Sequence, residues 1–342
     1  MLSESMSDPH PSGLEPTPIG LFCRPGGFHI DPAGPVERAV ISHGHADHAR
    51  PGHAHVLATE ETLAVMRLRY GAEAFGHGEA LRYGERISIG AASVTLLPAG
   101  HILGSAQIRI EHRGYCALFT GDFKRTFDPT ATPFEASRAD LLITEATFGL
   151  PVFRHPPPMQ EIERLLSSRA LFPERTHVVG VYALGKCQRV IRLLRAQGYD
   201  RPIYLHGALE PISALYRARG IELGPLAAAT AASKDALRGA LVLCPPSALA
   251  ERWSRRLTDP VRALASGFMR VRARARQRKV ELPLVISDHA DWDELWRTIE
   301  DAGAPEVWVT HGREEAMVFE AHRRGLLARP LSFSGYEDED SG

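Results

Sequence analysis

Three histidines and an aspartate fall within six residues in His43-Gly44-His45-Ala46-Asp47-His48, directly after the apolar run Ala39-Val40-Ile41. Imidazole nitrogen and carboxylate oxygen suit Zn²⁺, Mn²⁺ or Fe²⁺ better than soft copper(I) or an iron–sulfur cluster. A single catalytic metal with one open position needs three protein ligands, and this segment alone offers four. With further histidines and aspartates downstream, the economical expectation is two divalent ions, Zn or Mn with Fe as an alternative, sharing one cleft. The competing reading is a fortuitous His-rich surface tract.

The elements that must position such ligands are short. Ala39–Ile41, Val94–Leu97, Cys116–Thr120, Asp140–Thr144, Pro283–Ser287 and Glu306–Thr310 are apolar runs without strict alternation, each followed within a few residues by a His, Asp or Glu. Runs of this kind read as strands buried on both faces. Polar residues just beyond their ends can converge on one edge of a sheet sandwich, and His101, Asp122, Glu145, Asp288-His289 and His311 all stand there. Glu60 to Tyr70 reads as a helix, with Leu63, Met66 and Tyr70 on one face. Phe28-His29-Ile30-Asp31-Pro32 closes a turn-rich, hairpin-like segment.

His43-x-His45-x-Asp47-His48 resembles the signature of the metallo-β-lactamase superfamily, and the later motifs resemble its nucleic-acid-cleaving β-CASP branch, in particular the bacterial ligase-associated DNA exonucleases. The likeness runs from about Gly20 to about Gly312. It implies an α/β fold, an αββα sandwich with an inserted, reduced β-CASP α/β domain. By the same resemblance His43, His45, His101 and Asp122 hold one metal, and Asp47, His48, His311 and the bridging Asp122 hold the other. Asp47 then counts among the catalytic as well as the metal-binding residues. His289, in Ser287-Asp288-His289-Ala290-Asp291, corresponds to the general acid that serves the leaving 3′-oxygen. Glu145 corresponds to the acid that orients it and favours its protonated form. Asp31 matches an aspartate that supports the ligand loop.

From Asp122 to His311 is 189 residues, far more than compact hydrolases of the superfamily allow before their last ligand. The expected organisation is a flexible terminus over 1–18, a metallo-β-lactamase domain over 19–150 and 282–335, an insertion over 151–281 and an acidic tail over 336–342. Gly180–Gln188 resembles the strand–loop–helix that opens the insertion. Lys186 there is a candidate phosphate contact, although Cys187 breaks the P-loop pattern.

The net charge of −1 hides a strong local imbalance, because ten Arg or Lys and two acidic residues fall between Glu251 and Lys279. Arg270, Arg272, Arg274, Arg276 and Arg278 occupy every second position, which in a strand would form one basic ridge. Phosphate-backbone binding draws on such local charge. The rival reading is a solvated edge strand guarded against aggregation.

Four widely spaced cysteines without a CxxC pair argue against a cysteine zinc site and for a reducing cytoplasm. Neither a secretory leader nor an apolar run of about 18 residues for a membrane span is visible. Together these features lead to the expectation of a metal-dependent DNA exonuclease with 5′→3′ polarity, acting in repair on single strands or duplex ends, with a DNA ligase or helicase as partner. The alternatives are an RNA-processing nuclease of the same branch, a small-molecule ester or thioester hydrolase, and a catalytically silent nucleic-acid-binding scaffold.

Overall fold

The two-sided burial expected of the apolar runs is what stacks the chain into layers. The computed structural model describes residues 10–251, 253, 254, 257 and 259–331. A first sheet runs in chain order through β1 (Leu14–Thr17), β2 (Gly20–Cys23), β3 (Phe28–Ile30), β4 (Arg38–Val40), β5 (His53–Ala58) and β6 (Phe75–Ala80). Its first three strands are antiparallel and its last pairings parallel. Between β5 and β6 lies α1 (Glu60–Tyr70), whose start is fixed by Thr59 accepting from the Thr62 amide.

The second sheet begins with the antiparallel strands β7 (Arg86–Ile89), β8 (Ala92–Pro98), β9 (Ala106–His112) and β10 (Tyr115–Phe119), and continues in parallel with β11 (Leu141–Ala146). The chain then leaves to build a third sheet. It passes through α2 (Pro158–Leu171), β12 (His177–Gly180), α3 (Lys186–Ala196), β13 (Ile203–Leu205), α4 (Glu210–Ala218), β14 (Leu226–Ala228), α5 (Lys234–Leu237), β15 (Leu241–Cys244), β16 (Val261–Ala265), α6 (Arg272–Gln277) and β17 (Leu282–Leu284). All five pairings in the order β14-β13-β15-β12-β16-β17 are parallel. After α7 (Trp292–Ala302) the chain returns to the second sheet as β18 (Glu306–Gly312), parallel to β11, then α8 (Glu314–Arg323) and the edge strand β19 (Leu327–Pro330).

The strand interiors show why alternation was missing. Ala117 and Phe119 of β10, Leu141 and Ile143 of β11 and Trp308 of β18 enter the core between the first two sheets, opposite Leu21, Phe28, Val40 and Leu57. Their neighbours Leu118, Leu142, Val307 and Val309 pack outward against Trp292, Leu295, Trp296 and Ile299 of α7 and Met317 of α8. On the far side, Ala39, Val56 and Ala58 pack on Met66 of α1. Helix, sheet, sheet and helix follow one another, which is the αββα sandwich. Each buried Leu, Val or Phe contributes about 1.5–3 kcal/mol of apolar transfer.

Three expectations are corrected. Residues 14–17 of the supposedly flexible terminus form a strand paired in register with β2, because Leu14 is buried in the sandwich core; residues 1–9 lie outside the described residues, as do 332–342, including the acidic tail. Pro283–Ser287 is not a sandwich strand: Leu282–Leu284 closes the third sheet against β16, so that sheet extends past residue 281. The basic ridge is not a strand either. Gly267–Arg270 is a 3₁₀ turn and Arg272–Gln277 a short helix, since Arg, Ala and Gln are strong helix formers and none is β-branched. Alternate residues on a helix point to opposite sides. Arg274 accordingly turns inward over the Phe268 ring, at 4.2 Å, while Arg270, Arg272, Arg276 and Arg278 are exposed. Arg252, Arg255 and Arg256 lie outside the described residues.

Candidate metal centre

The side chains that the sequence scattered over 270 positions meet where β4, β8, β10, β11 and β18 end. The loop after β4 leaves Ile41 hydrogen-bonded to β5 and turns at Ser42. Asp31, just past β3, accepts from the Ser42 amide at 2.7 Å, from Ser42 Oγ at 2.5 Å and from His48 Nδ1 at 2.8 Å. It therefore props the ligand loop, as the resemblance implied. Tight backbone approach completes the rim. Gly121 has φ +55° and a Cβ there would meet Ser42, while Gly100 has φ +74° and a Cβ would strike the Lys124 carbonyl.

His43 Nε2 and His101 Nε2 lie 3.1 and 3.0 Å from His45 Nδ1, and Asp122 Oδ2 lies 3.3 Å from His43 Nε2. Ligands about 2.0–2.1 Å from one tetrahedral ion stand about 3.3 Å apart, so these spacings fit a shared cation. The outer nitrogens support the same reading. His43 Nδ1 donates to Ser42 Oγ (2.9 Å), His101 Nδ1 to the Asp288 carbonyl (3.0 Å) and His45 Nε2 to the Leu184 carbonyl (3.3 Å). A proton engaged outward leaves the inner nitrogen with its lone pair turned to its neighbours, an arrangement that repels unless a cation sits among them.

Asp122 Oδ2 is also 3.4 Å from His48 Nε2, and His48, Asp122 and His311 form a second group able to hold a metal. Asp122 is thus common to both groups. Asp47 stands outside these groups, its carboxylate 3.6 Å from His48 Nε2 on the open side of the centre. His311 does not follow its strand but sits inside β18, at a register shift opposite Glu145 and Ala146, with φ +56°. The bulge aims its ring towards His48, at 4.8 Å between ring centroids.

Burial holds His43 and His311 down to about 4 and His101 well below the usual imidazole value, so these rings are neutral, as ligands must be. Burial also acts to lower His48, but Asp122 and Asp47 outweigh it and hold that imidazole well above its usual value. Carboxylates that favour a proton on His48 favour a divalent cation in its place. Asp122 is buried too, yet His48 and His289 keep its carboxyl well below the ordinary range.

Beside this cluster, Glu145 accepts from the Phe123 amide through Oε1 and from His289 Nδ1 through Oε2, both at 2.9 Å. His289 Nδ1 is 3.9 Å from Asp122 Oδ2. The structure therefore brings together every expected metal and catalytic residue, with Asp47 at the margin. Lys186 is different: it is buried, and its ammonium pairs with Asp288 at 3.2 Å. The Gly185 amide at the start of α3 is taken by Gln188 Oε1. Lys186 anchors the His289 loop instead of facing a phosphate, which corrects the expectation.

Sequence reasoning missed a set of supporting residues. Lys124 Nζ donates to the His289 carbonyl (3.1 Å) and to Glu294 (2.8 Å). Arg189, fully buried, donates to the Ser287 carbonyl and faces Asp128 and Asp288. No signal in the sequence marked them, since Lys124 is followed by Arg125 and Thr126 and Arg189 lies between Gln188 and Val190 on a helix with other basic residues.

No protein-family model matches the chain. It is 31% identical over 317 residues to a probable DNA ligase of Opitutus terrae, covering 90% of this chain and 30% of that protein. It is 27% identical over 208 residues to a ribonuclease of Thermus thermophilus, covering 52% of this chain and 48% of that protein. The chain thus spans less than half the length of these curated relatives. A crystal structure of a protein of unknown function from Enterococcus faecalis superposes with a TM-score of 0.56 at 16% identity, over 87% of this chain and 80% of that one, and shares the fold. These likenesses agree with the β-CASP branch of the metallo-β-lactamase superfamily that the motifs resemble. Among the described residues no helix is long and apolar enough to cross a membrane, and all four cysteines are free and buried.

Proposed function

We propose that the protein is a metal-dependent DNA exonuclease of 5′→3′ polarity with two divalent ions, Zn or Mn, and that the third-sheet unit is its reduced β-CASP insertion. The observation that carries the reading is the pair of His/Asp groups sharing Asp122 next to the Glu145–His289 pair. His43, His45, His101 and Asp122 would hold one ion and His48, His311 and Asp122 the other, with Asp47 at the exposed edge of the second. When bound, such ions supply Lewis acidity, lowering the pKa of water and countering phosphate charge. Glu145 keeps the His289 proton on Nδ1 and fixes the ring, leaving Nε2 to exchange a proton with the leaving oxygen. Lys124 and Arg189 hold the backbone on either side of that ring in place. The exposed arginines of α6 and its preceding turn supply backbone-binding charge.

DNA as substrate, and a ligase as partner, are supported by the stretch resembling this chain within a protein named as a probable DNA ligase. A second reading, RNA cleavage, draws on the ribonuclease relative. End-labelled single- and double-stranded DNA and RNA, incubated with Mn²⁺ or Zn²⁺, separate the two. The expected outcome is DNA shortened from its 5′ end, with Asp122→Ala reducing turnover by at least about 10³-fold because both groups lose their shared ligand. Preferential cleavage of RNA, or wild-type turnover in Asp122→Ala, rejects the proposal.

A further inference from the structure

The loop after β10 carries Asp122, and the loop before α7 carries His289. They come from distant stretches of the chain, yet they are joined residue by residue. The Phe123 carbonyl accepts from the Ala290 amide at 2.6 Å, and Lys124 Nζ donates to the His289 carbonyl at 3.1 Å. Glu145 accepts from both the Phe123 amide and His289 Nδ1. The two residues after Asp122 thus hold His289 by its backbone and, through Glu145, by its ring.

Lys124 is itself held by Glu294, in the first turn of α7. Glu294 Oε2 accepts from Lys124 Nζ at 2.8 Å and from the Asp291 amide at 3.2 Å, while Oε1 accepts from the Thr126 amide at 2.5 Å and the Thr126 hydroxyl at 2.6 Å. Capping α7 uses only the Asp291 contact, which a glutamine in the same place provides equally. The other three donors all come from the loop after β10. Both charged side chains are nearly withdrawn from water, at 6% exposed for Lys124 and 14% for Glu294. Burial acts to raise the Glu294 carboxyl, but Lys124 and Thr126 outweigh it and hold it down to about 2, so the clamp stays charged at neutral pH. A buried ion pair adds little to stability over apolar packing of the same volume, and what it fixes is geometry.

We infer that Glu294 is a positioning residue for His289: by fixing Lys124 it sets where the His289 ring stands relative to Asp122, 3.9 Å away. The inference rests on the nuclease reading and deepens it. Glu145 holds the ring at one nitrogen, which is a pivot. The His289 carbonyl, tied to Lys124, is the second fixed point that stops the ring from swinging about the first. Proton transfer to a leaving oxygen depends on such alignment and substrate binding does not, so the effect belongs in kcat.

The experiment uses Glu294→Gln and Lys124→Met in the full chain with Mn²⁺. Glu294→Gln keeps the size and one acceptor oxygen, but its amide nitrogen faces donors only. Lys124→Met removes the same link from its other end, and it carries the test should the first variant unfold. Two substrates are compared: single-stranded DNA, and bis(p-nitrophenyl) phosphate, whose phenolate leaves without needing a proton. Each variant is expected to lower kcat on DNA about 10²-fold, the scale of a misplacement of about 1 Å, with KM within a few-fold. The loss on the ester should be at least about tenfold smaller, because that reaction does not call on a general acid. Mn²⁺ affinity, measured by chelator competition without substrate, should stay within a few-fold of wild type, and the double variant should be no slower than the slower single one. Equal losses on DNA and ester, a fall in Mn²⁺ affinity that matches the fall in kcat, or wild-type turnover of DNA in the variants overturns the inference while leaving the nuclease reading intact. Failure of the wild type to cut DNA overturns that reading and the inference with it.

Discussion

At the residue scale, the centre depends on Asp31 as much as on any ligand. Its two oxygens take an amide, a hydroxyl and an imidazole, and through Ser42 it reaches His43 while touching His48 directly. One carboxylate therefore orients a histidine in each of the two groups. Outer partners of this kind are worth about 10–100-fold in metal affinity. Asp31→Asn keeps the size but replaces an acceptor with an amide nitrogen on one side. Its metal affinity, measured by competition with a chelating dye, is expected to fall about 10–100-fold, with the fold retained by circular dichroism. Unchanged affinity would reduce Asp31 to a turn residue held at φ +41°. The family resemblance marked Asp31 as a support of the loop, whereas spacing alone could not tell such a prop from a turn former before a proline. That His43, His45, His101 and Asp122 would meet in one cluster was legible, because His and Asp gathered at strand ends have few other uses.

At the element scale, legibility followed the physics of burial. Runs buried on both faces, such as Leu141–Ala146, are recognisable since nothing but a layered sheet explains them. The Arg270–Arg278 segment was misread because a period of two is also what alternate arginines on a short helix display. Ala273, Ala275 and Gln277 between them carry the helix propensity that decides the outcome. The corrected geometry changes which residues act together: Arg272 and Arg276 are four apart on one exposed face, and Arg274 belongs to Phe268. Arg272→Glu with Arg276→Glu is accordingly expected to weaken binding to single-stranded DNA and to lessen the slope of log affinity against log salt by roughly 1.4, at about 0.7 for each phosphate no longer neutralised. Arg274→Glu should act instead on stability. Equal salt slopes in the wild type and the double variant would assign α6 to solvation alone.

At the scale of the whole molecule, the centre is assembled from two units that the chain visits in turn. The third sheet departs after β11 and returns before β18, and it contributes the Leu184 carbonyl to His45 directly. What locks the joint is a buried charge knot: Arg189 and Lys186 of α3 meet Asp288 on the return loop, and Arg189 also faces Asp128 of the sandwich. None of this was visible in the sequence, since Lys186 and Arg189 look like the helix's other basic residues, Arg192 and Arg195, and give no sign of which distant carboxylate they will meet. Removing one partner of such a knot leaves uncompensated charge in the interior and costs about 3–5 kcal/mol. Arg189→Met matches the bulk but strands Asp128, with Lys186 still covering part of Asp288. The expected loss is about 3 kcal/mol, read from the urea midpoint at pH 7, together with weaker metal binding because the Asp288 carbonyl orients His101. Asp128→Asn in the Arg189→Met background should recover part of that stability, since the stranded charge is then gone. A loss below about 1 kcal/mol, with metal affinity unchanged, would mean that apolar packing of Val65 and Ile102 against α3 and its neighbours holds the joint without the charges.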